Sequence, residues 1–464
     1  MTPIIAAILI VGFLLLATEN LTNVNKAAVA IFVGTVGWIL YISYGRDYVM
    51  SEHPWDFALF LNGLEPTSDL VKQYIARNIF LNYVGKAAEV VLFLLATMTI
   101  VEILQNNGCF DFIPQLMRTR SSKRLLWVLS GVTFLLSANL DNLTTTVMML
   151  TIMRGIVRSR RQRMLLGCAV LISANCGGAL TVIGDPTGLV LWNSGFVSAT
   201  NFSLSLAVPC LLAWAIPVWW IGRDLNERAD LEWISMPYRG DDTNLNVWQR
   251  LLMLFVGIGG LWFIPTFHNI TKLSPFLGAL CVLSVLWIVN EVFNRKLMNT
   301  DEMIQRRVPR VLQYGVIQMI LFVMGIMLTV GVVKETGIAR WIAENVDTFA
   351  SNVWVAGIGT GIVSSVLDNF ASAMAMISFR DMPQIDTNIP LSLTAFMKNG
   401  AYWKIVAYVS ALGGNILCMS SLSGLALMRI ERVRIGWYFR NVGWKALVGG
   451  VAGYVALYLI LLNH

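Results

Sequence analysis

Three aspartates stand in stretches that are otherwise apolar: Asp141 in SANLDNLTTT, Asp185 in GGALTVIGDPTG and Asp368 in SSVLDNFASA. An ionised carboxylate at the centre of a bilayer costs at least ~2.5–3.5 kcal/mol on insertion scales, so each is a candidate functional group. Oxygen-bearing side chains accompany them. Asn142, Thr144 and Thr145 follow the first aspartate, Asn369 follows the third, and Asn175 and Asn415 lie in two glycine-rich stretches. Carboxylate, hydroxyl and amide oxygens, with backbone carbonyls freed by Gly and Pro, are the hard ligands that a small cation such as Na⁺ takes. The expected cation ligands among the carboxylates are Asp141, Asp185 and Asp368. No Lys or Arg falls within these motifs. A cation-free site of this kind is expected to hold protons, which makes it an exchanger.

Each motif alone reads equally well as a helix cap or a turn. The duplication changes that balance. SANLDNLTTTVMM (137–149) is matched by SSVLDNFASAMAM (364–376), and GGALTVIGDPTG (177–188) by GGNILCMSSLSG (413–424). Thr144–Thr146 also read as first-turn helix residues, and Glu102 as the cytoplasmic end of a span. Lys86 and Glu89 are spaced to pair one turn apart. Met148, Met149, Met374 and Met376 read as packing.

The elements that must carry these residues follow from composition. The chain has 464 residues, 56% hydrophobic and 13% charged, against about 25% charge in a soluble domain. Apolar runs of about 20 residues recur, which predicts an all-α polytopic membrane protein. Long, non-alternating runs exclude a β-barrel. The first segment, PIIAAILIVGFLLLA, lacks a basic n-region and a small-residue cleavage site, so it reads as a retained span. The net charge of +7 is dispersed among spans and points to topology, not to nucleic acid. Six cysteines show no metal spacing and read as small core residues. His53, His268 and His464 fall in expected loops or at the terminus, which leaves proton chemistry to carboxylates.

Spans are expected at 3–17, 26–44, 85–104, 164–196, 203–221, 247–267, 274–292, 311–331, 401–426 and 437–462. Segments 125–153 and 352–379 differ. Basic residues flank 125–153 on both sides (Arg118, Arg120, Lys123, Arg124; Arg154, Arg158, Arg160, Arg161, Arg163). One crossing would put a basic cluster on the wrong face. Two crossings need ~40 residues, and the segment has 29. A re-entrant helical hairpin from the cytoplasmic side remains, with its tip at Asn139–Thr144. Segment 352–379 has acidic flanks (Glu335, Glu344, Asp347, Asp381, Asp386) and should re-enter from outside. Each half then has five spans and one hairpin. Five is odd, so 1–222 and 247–464 form inverted-topology repeats joined by a linker at 223–246. Discontinuous helices at mid-membrane are where such transporters bind their cargo.

TMTIVEIL, LDNLTTT, SANCGGALTVIGDPTG, SSVLDN and GGNIL…SG resemble the NhaD-type sodium/proton antiporters of the ion transporter superfamily, relatives of arsenical pump membrane proteins. The resemblance spans nearly the whole chain. It implies an ion site at Asp141, Asn142, Thr144, Asp185, Asp368 and Asn369, and it implies homodimers with an elevator-like movement. Pro186-Thr187-Gly188 departs from a more threonine-rich family run, which leaves Thr187 without an assigned role.

The reading that results is a multi-pass antiporter of a bacterial inner membrane. It exchanges Na⁺ (or Li⁺) for H⁺, needs no cofactor, is surrounded by membrane lipid and is not an enzyme. One rival is an oxyanion or dicarboxylate transporter, which should carry hydroxyl and amide tips or a cationic residue. The other is an intramembrane aspartyl protease, whose Gly-x-Gly-Asp pattern is absent because Val182 stands at the first glycine's position.

Overall fold

The computed structural model describes residues 2–22, 24–117, 119–230, 245–294, 314–346, 352–380, 382–383 and 391–462. Most of the expected linker, residues 295–313, and Asp347, Asp381, Asp386 and His464 lie outside these. The described residues are helical, and eight helices are long and apolar enough to cross a membrane.

The first half comprises α1 (Thr2–Ala17), α2 (Lys26–Ser43), α3 (Leu81–Asn106), α4 (Ser122–Ser137), α5 (Asn142–Ile156), α6 (Arg160–Leu180), α7 (Pro186–Asn193) and α8 (Ala199–Asp224). The second comprises α9 (Gly260–Thr271, continuing a helix from Val247), α10 (Pro275–Phe293), α11 (Tyr314–Glu335), α12 (Val353–Val366), α13 (Asn369–Ser378), α14 (Ala401–Ile416), α15 (Leu422–Glu431) and α16 (Trp444–Leu462). Short helices at 45–52, 54–61 and 68–74 fill the stretch between α2 and α3. His268 sits in the last turn of α9 rather than in a loop.

The two segments singled out by charge are each helix–break–helix. At 1.5 Å per residue the 16-residue α4 is about 24 Å long, short of the ~30 Å hydrocarbon core. Both ends of 125–153 meet the same four residues after α8. Ser122 donates to the Glu227 carbonyl at 3.2 Å, Ala229 to Arg120 at 2.9 Å and Arg158 to Asp230 at 3.0 Å. Four residues span at most about 14 Å, so the chain returns to where it set out.

The halves interleave. α2 packs on α11, and α10 on α3; α1 packs on α2 as α9 does on α10. Each half's second helix therefore lies against the other half's third. The α2–α11 contact is close because Ala30 and Gly34 face Gly325: a Cβ on Gly325 would lie 2.6 Å from the Ala30 carbonyl carbon. Small residues are what allow apolar helices to approach this tightly in lipid. Trp38 Nε1 adds a bond to the Leu328 carbonyl at 3.0 Å. α8 and α16 join the halves through Pro217 and Gly449. Phe32, Ile39, Leu204, Trp262, Ile288, Ile362 and Leu459 remain exposed, as expected of lipid-facing helices.

Candidate functional site

Asp141 is the N-cap of α5. Its Oδ1 accepts from the Thr144 N–H at 2.9 Å, the bond that satisfies an orphan donor at a helix start. That explains why the sequence turns at this point. Its Oδ2 is buried and has no hydrogen-bond partner, so half of the carboxylate is left for something else. Thr145 and Thr146 are fully buried, and their hydroxyl oxygens are likewise unpartnered. Thr144 contributes its N–H to the cap.

The next helix breaks inside the glycine-rich stretch 177–188. α6 continues through Gly177 and Gly178 to Leu180 and unwinds only at Thr181–Asp185. The two glycines serve close approach. A Cβ on Gly177 would lie 2.2 Å from the Phe134 carbonyl oxygen, and one on Gly178 would lie 2.8 Å from the Gly184 carbonyl oxygen. Asp185 caps α7 through Oδ1, which accepts from Thr187 N–H at 2.8 Å; its Oδ2 accepts from Asn142 Nδ2 at 3.0 Å. Thr187 thus gives a backbone bond. The Asn142 bond joins the first break to the second, and Asp185 interacts electrostatically with both Asp368 and Asp141.

The second half repeats the caps with different chemistry. Asp368 caps α13, its Oδ1 accepting from Phe370 N–H at 3.0 Å and Ala371 N–H at 3.3 Å. Asn369 N–H donates to the Ser420 carbonyl at 3.1 Å. α14 also runs past its glycines to Ile416, and Ser421 caps α15 by accepting from Gly424 N–H at 3.1 Å. Serine therefore stands where the first half has Asp185. Asn175 Nδ2 donates to Asn415 Oδ1 at 2.9 Å across the halves, and Asn175 Oδ1 has no partner. The Ser423 hydroxyl is also buried and unpartnered. α5, α6 and α15, which carry these unpartnered oxygens, pack on one another.

The structure corrects one expectation. Asp368 is not a bare carboxylate: Lys26 Nζ lies 3.1 Å from its Oδ2, and both side chains are buried. Lys26 starts α2, more than 300 residues away in sequence. Among the described residues no three acidic, histidine or cysteine side chains group as a metal cluster. Lys26, Glu19, Thr146, Ser421 and Ser423 were not singled out as site residues from sequence. Lys26 reads there as an ordinary polar flank of a span, and only a Lys at an apolar run's first residue hints otherwise. The Lys86–Glu89 pair does not form: Glu89 accepts from Asn193 Nδ2 at 2.6 Å and Lys86 lies over the Tyr83 ring. Both line a cavity of about 550 Å³ that reaches Met374 and Ile377 on α13.

The profile of the citrate transporter family, CitMHS, matches residues 1–413. The chain belongs to this family. Sodium/proton antiporter 1 of Arabidopsis thaliana is 34% identical over 386 residues, covering 82% of this chain but 63% of the plant protein. The chain thus spans under two thirds of that relative's length. Sodium/proton antiporter 2 of the same plant is 28% identical over 98% of both chains. The Na⁺/H⁺ antiporter NhaD of Vibrio parahaemolyticus is 24% identical over 78% of this chain and 87% of its own. The resemblance to NhaD-type proteins therefore holds. As a member of the citrate transporter family the chain is a multi-pass membrane transporter, not an enzyme, and the protease reading falls. The family's description names an anion while these relatives' names state cation exchange. The choice between them has to come from the site.

Proposed function

We propose that the protein is a secondary antiporter exchanging Na⁺ (or Li⁺) for H⁺, with the cation held among Asp141, Asp185 and Asp368. The observation that carries this reading is the set of buried oxygens without partners: Asp141 Oδ2, Thr145 Oγ1, Thr146 Oγ1, Asn175 Oδ1 and Ser423 Oγ. Each such group costs about 1–3 kcal/mol when left unsatisfied, and an ion is one of the occupants that explains it. An anion would add charge to a place already holding carboxylates. The nearby cation, Lys26, already faces two of them, Asp368 and Glu19. The relatives' names favour the same reading. Asn142, Asn175 and Asn415 hold the two broken helices and the first break together, and Asp368 with Asn369 supplies the second tip.

The proposed architecture is two inverted repeats, 1–222 and 247–464, with re-entrant hairpins at 125–153 and 352–379. The interleaved packing of the halves and the shared anchor of residues 120–122 and 158 support it. A homodimer in a bacterial inner membrane, where a proton gradient drives Na⁺ out, completes the proposal.

The test is exchange in everted vesicles or proteoliposomes. A pulse of Na⁺ or Li⁺ should release protons from an acidified lumen. Asp185→Asn, which keeps a capping oxygen, should lower this by about tenfold or more, the factor that 1.4 kcal/mol of lost binding produces. Citrate uptake with no cation-dependent proton movement would overturn the reading.

A further inference from the structure

Lys26 sits between two carboxylates. Its Nζ is 3.1 Å from Asp368 Oδ2 and 3.7 Å from Glu19 Oε2. Glu19 Oε2 is buried and has no hydrogen-bond partner, and Glu19 Oε1 faces Arg429 Nη2 at 3.4 Å. A second acceptor thus stands beside the ammonium, within ion-pair range and with no hydrogen bond of its own. The repeat makes the placement more telling. Asp141 and Asp368 occupy equivalent caps, yet Oδ2 of Asp141 is open while Oδ2 of Asp368 carries Lys26. α10, which packs in the second half as α2 does in the first, begins with Pro275 and has no ammonium to offer.

We propose that Lys26 is a tethered cation that competes with the transported one for Asp368 and withdraws to Glu19 when the transported cation binds. The proposal rests on the antiport reading and adds a specificity-determining residue to it. The physical reason is charge. A buried carboxylate stripped of its partner is strongly unfavourable, so Asp368 needs a positive neighbour in the cation-free state as well as in the loaded one. Lys26 supplies it without leaving the protein. A shift toward Glu19 is short, and it meets a carboxylate already held by Arg429. Lys26 faces a carboxylate in both positions, so it alters the affinity for the transported cation by competition. Apparent affinity is the intrinsic affinity reduced by the fraction of sites that Lys26 leaves free.

The experiment is Na⁺-dependent proton release in proteoliposomes at fixed alkaline pH, where protons compete least, with KM and kcat measured separately. Lys26→Gln removes the competitor and should lower the KM for Na⁺ by about fivefold or more, within the range of coupling between two ligands. Glu19→Gln removes the alternative seat, confines Lys26 to Asp368 and should raise KM by a similar factor. A purely structural ion pair would not move the two KM values in opposite directions. Two functional variants that shift KM in the same direction, or not at all, would overturn the proposal. If Lys26→Gln does not insert, Glu19→Gln decides alone, and an unchanged or lower KM sinks it. A wild type with no cation-dependent proton release would remove the antiport reading and this one with it. Wild-type exchange with uncorrelated variants removes this one only.

Discussion

Asp141 and Asp368 carry the same LDN motif and each caps a helix through Oδ1, while their second oxygens differ in what reaches them from elsewhere in the chain. The lesson applies to a second titratable group, His53, between two short helices. Its Nε2 lies 2.7 Å from Glu335 Oε2, and Glu335 also accepts from Tyr83 OH at 2.8 Å and Tyr41 OH at 3.4 Å. The hydrogen bond to Glu335 raises the imidazole pKa above its ordinary value, and burial opposes this. A raised pKa in the folded state gives stability that is complete below the unfolded value of about 6.5 and lost as pH rises through the folded one. His53→Gln should therefore lower the melting temperature in detergent most at acidic pH, with the difference shrinking toward alkaline pH. A difference independent of pH would show that the ion pair is not what His53 contributes.

At the scale of elements, the breaks work because glycines let two backbones meet. Gly177 lets α6 lie against the end of α4, and Gly424 lets α15 turn back on the Cys418 carbonyl. The atom that a Cβ would strike at Gly177 is backbone oxygen, which cannot swing aside. Gly177→Ala should destabilise the protein by about 1–3 kcal/mol, the usual range for overpacking, with a lowered thermal midpoint and reduced transport. Gly131, in the middle of α4, has open space around it. Gly131→Ala should be neutral or stabilising by up to ~1 kcal/mol, from helix propensity. Equal losses at both positions would show that close approach is not the reason for Gly177.

At the scale of the whole molecule, the proposed inverted halves would account for the interleaved helices and the paired breaks together. In a background lacking the exposed Cys281, cysteines at Arg120 and Arg160 should label from one face only, the cytoplasmic one. Cysteines at Asn352 and Met382 should label only from the other. All four positions are exposed. Labelling of Arg120→Cys and Arg160→Cys from opposite faces would mean that 125–153 crosses the membrane and would dismantle the repeat.

Some of this was determined locally. An apolar run of about 20 residues has few options in lipid besides a helix. An Asp or Ser after an apolar stretch and before a helical one caps that helix, so the breaks at Asp141, Asp185 and Asp368 were legible as turns, and their duplication as a repeated design. Break positions were less legible. Gly177-Gly178 and Gly413-Gly414 look like helix ends in one dimension, but tertiary packing uses them to seat one helix on another. The charge state of the site was not legible at all. The absence of Lys or Arg from the motifs says nothing about a residue more than 300 positions away, because ion pairs in a buried site depend on distance in space. The Lys26–Asp368 pair and the contact between Asn175 and Asn415 exist only once the halves interleave. The sequence by itself determined which residues interrupt the helices, through local backbone bonding. Which carboxylate stays open and which meets an ammonium was decided by the tertiary structure alone, through the packing of α2 from one half against the other half.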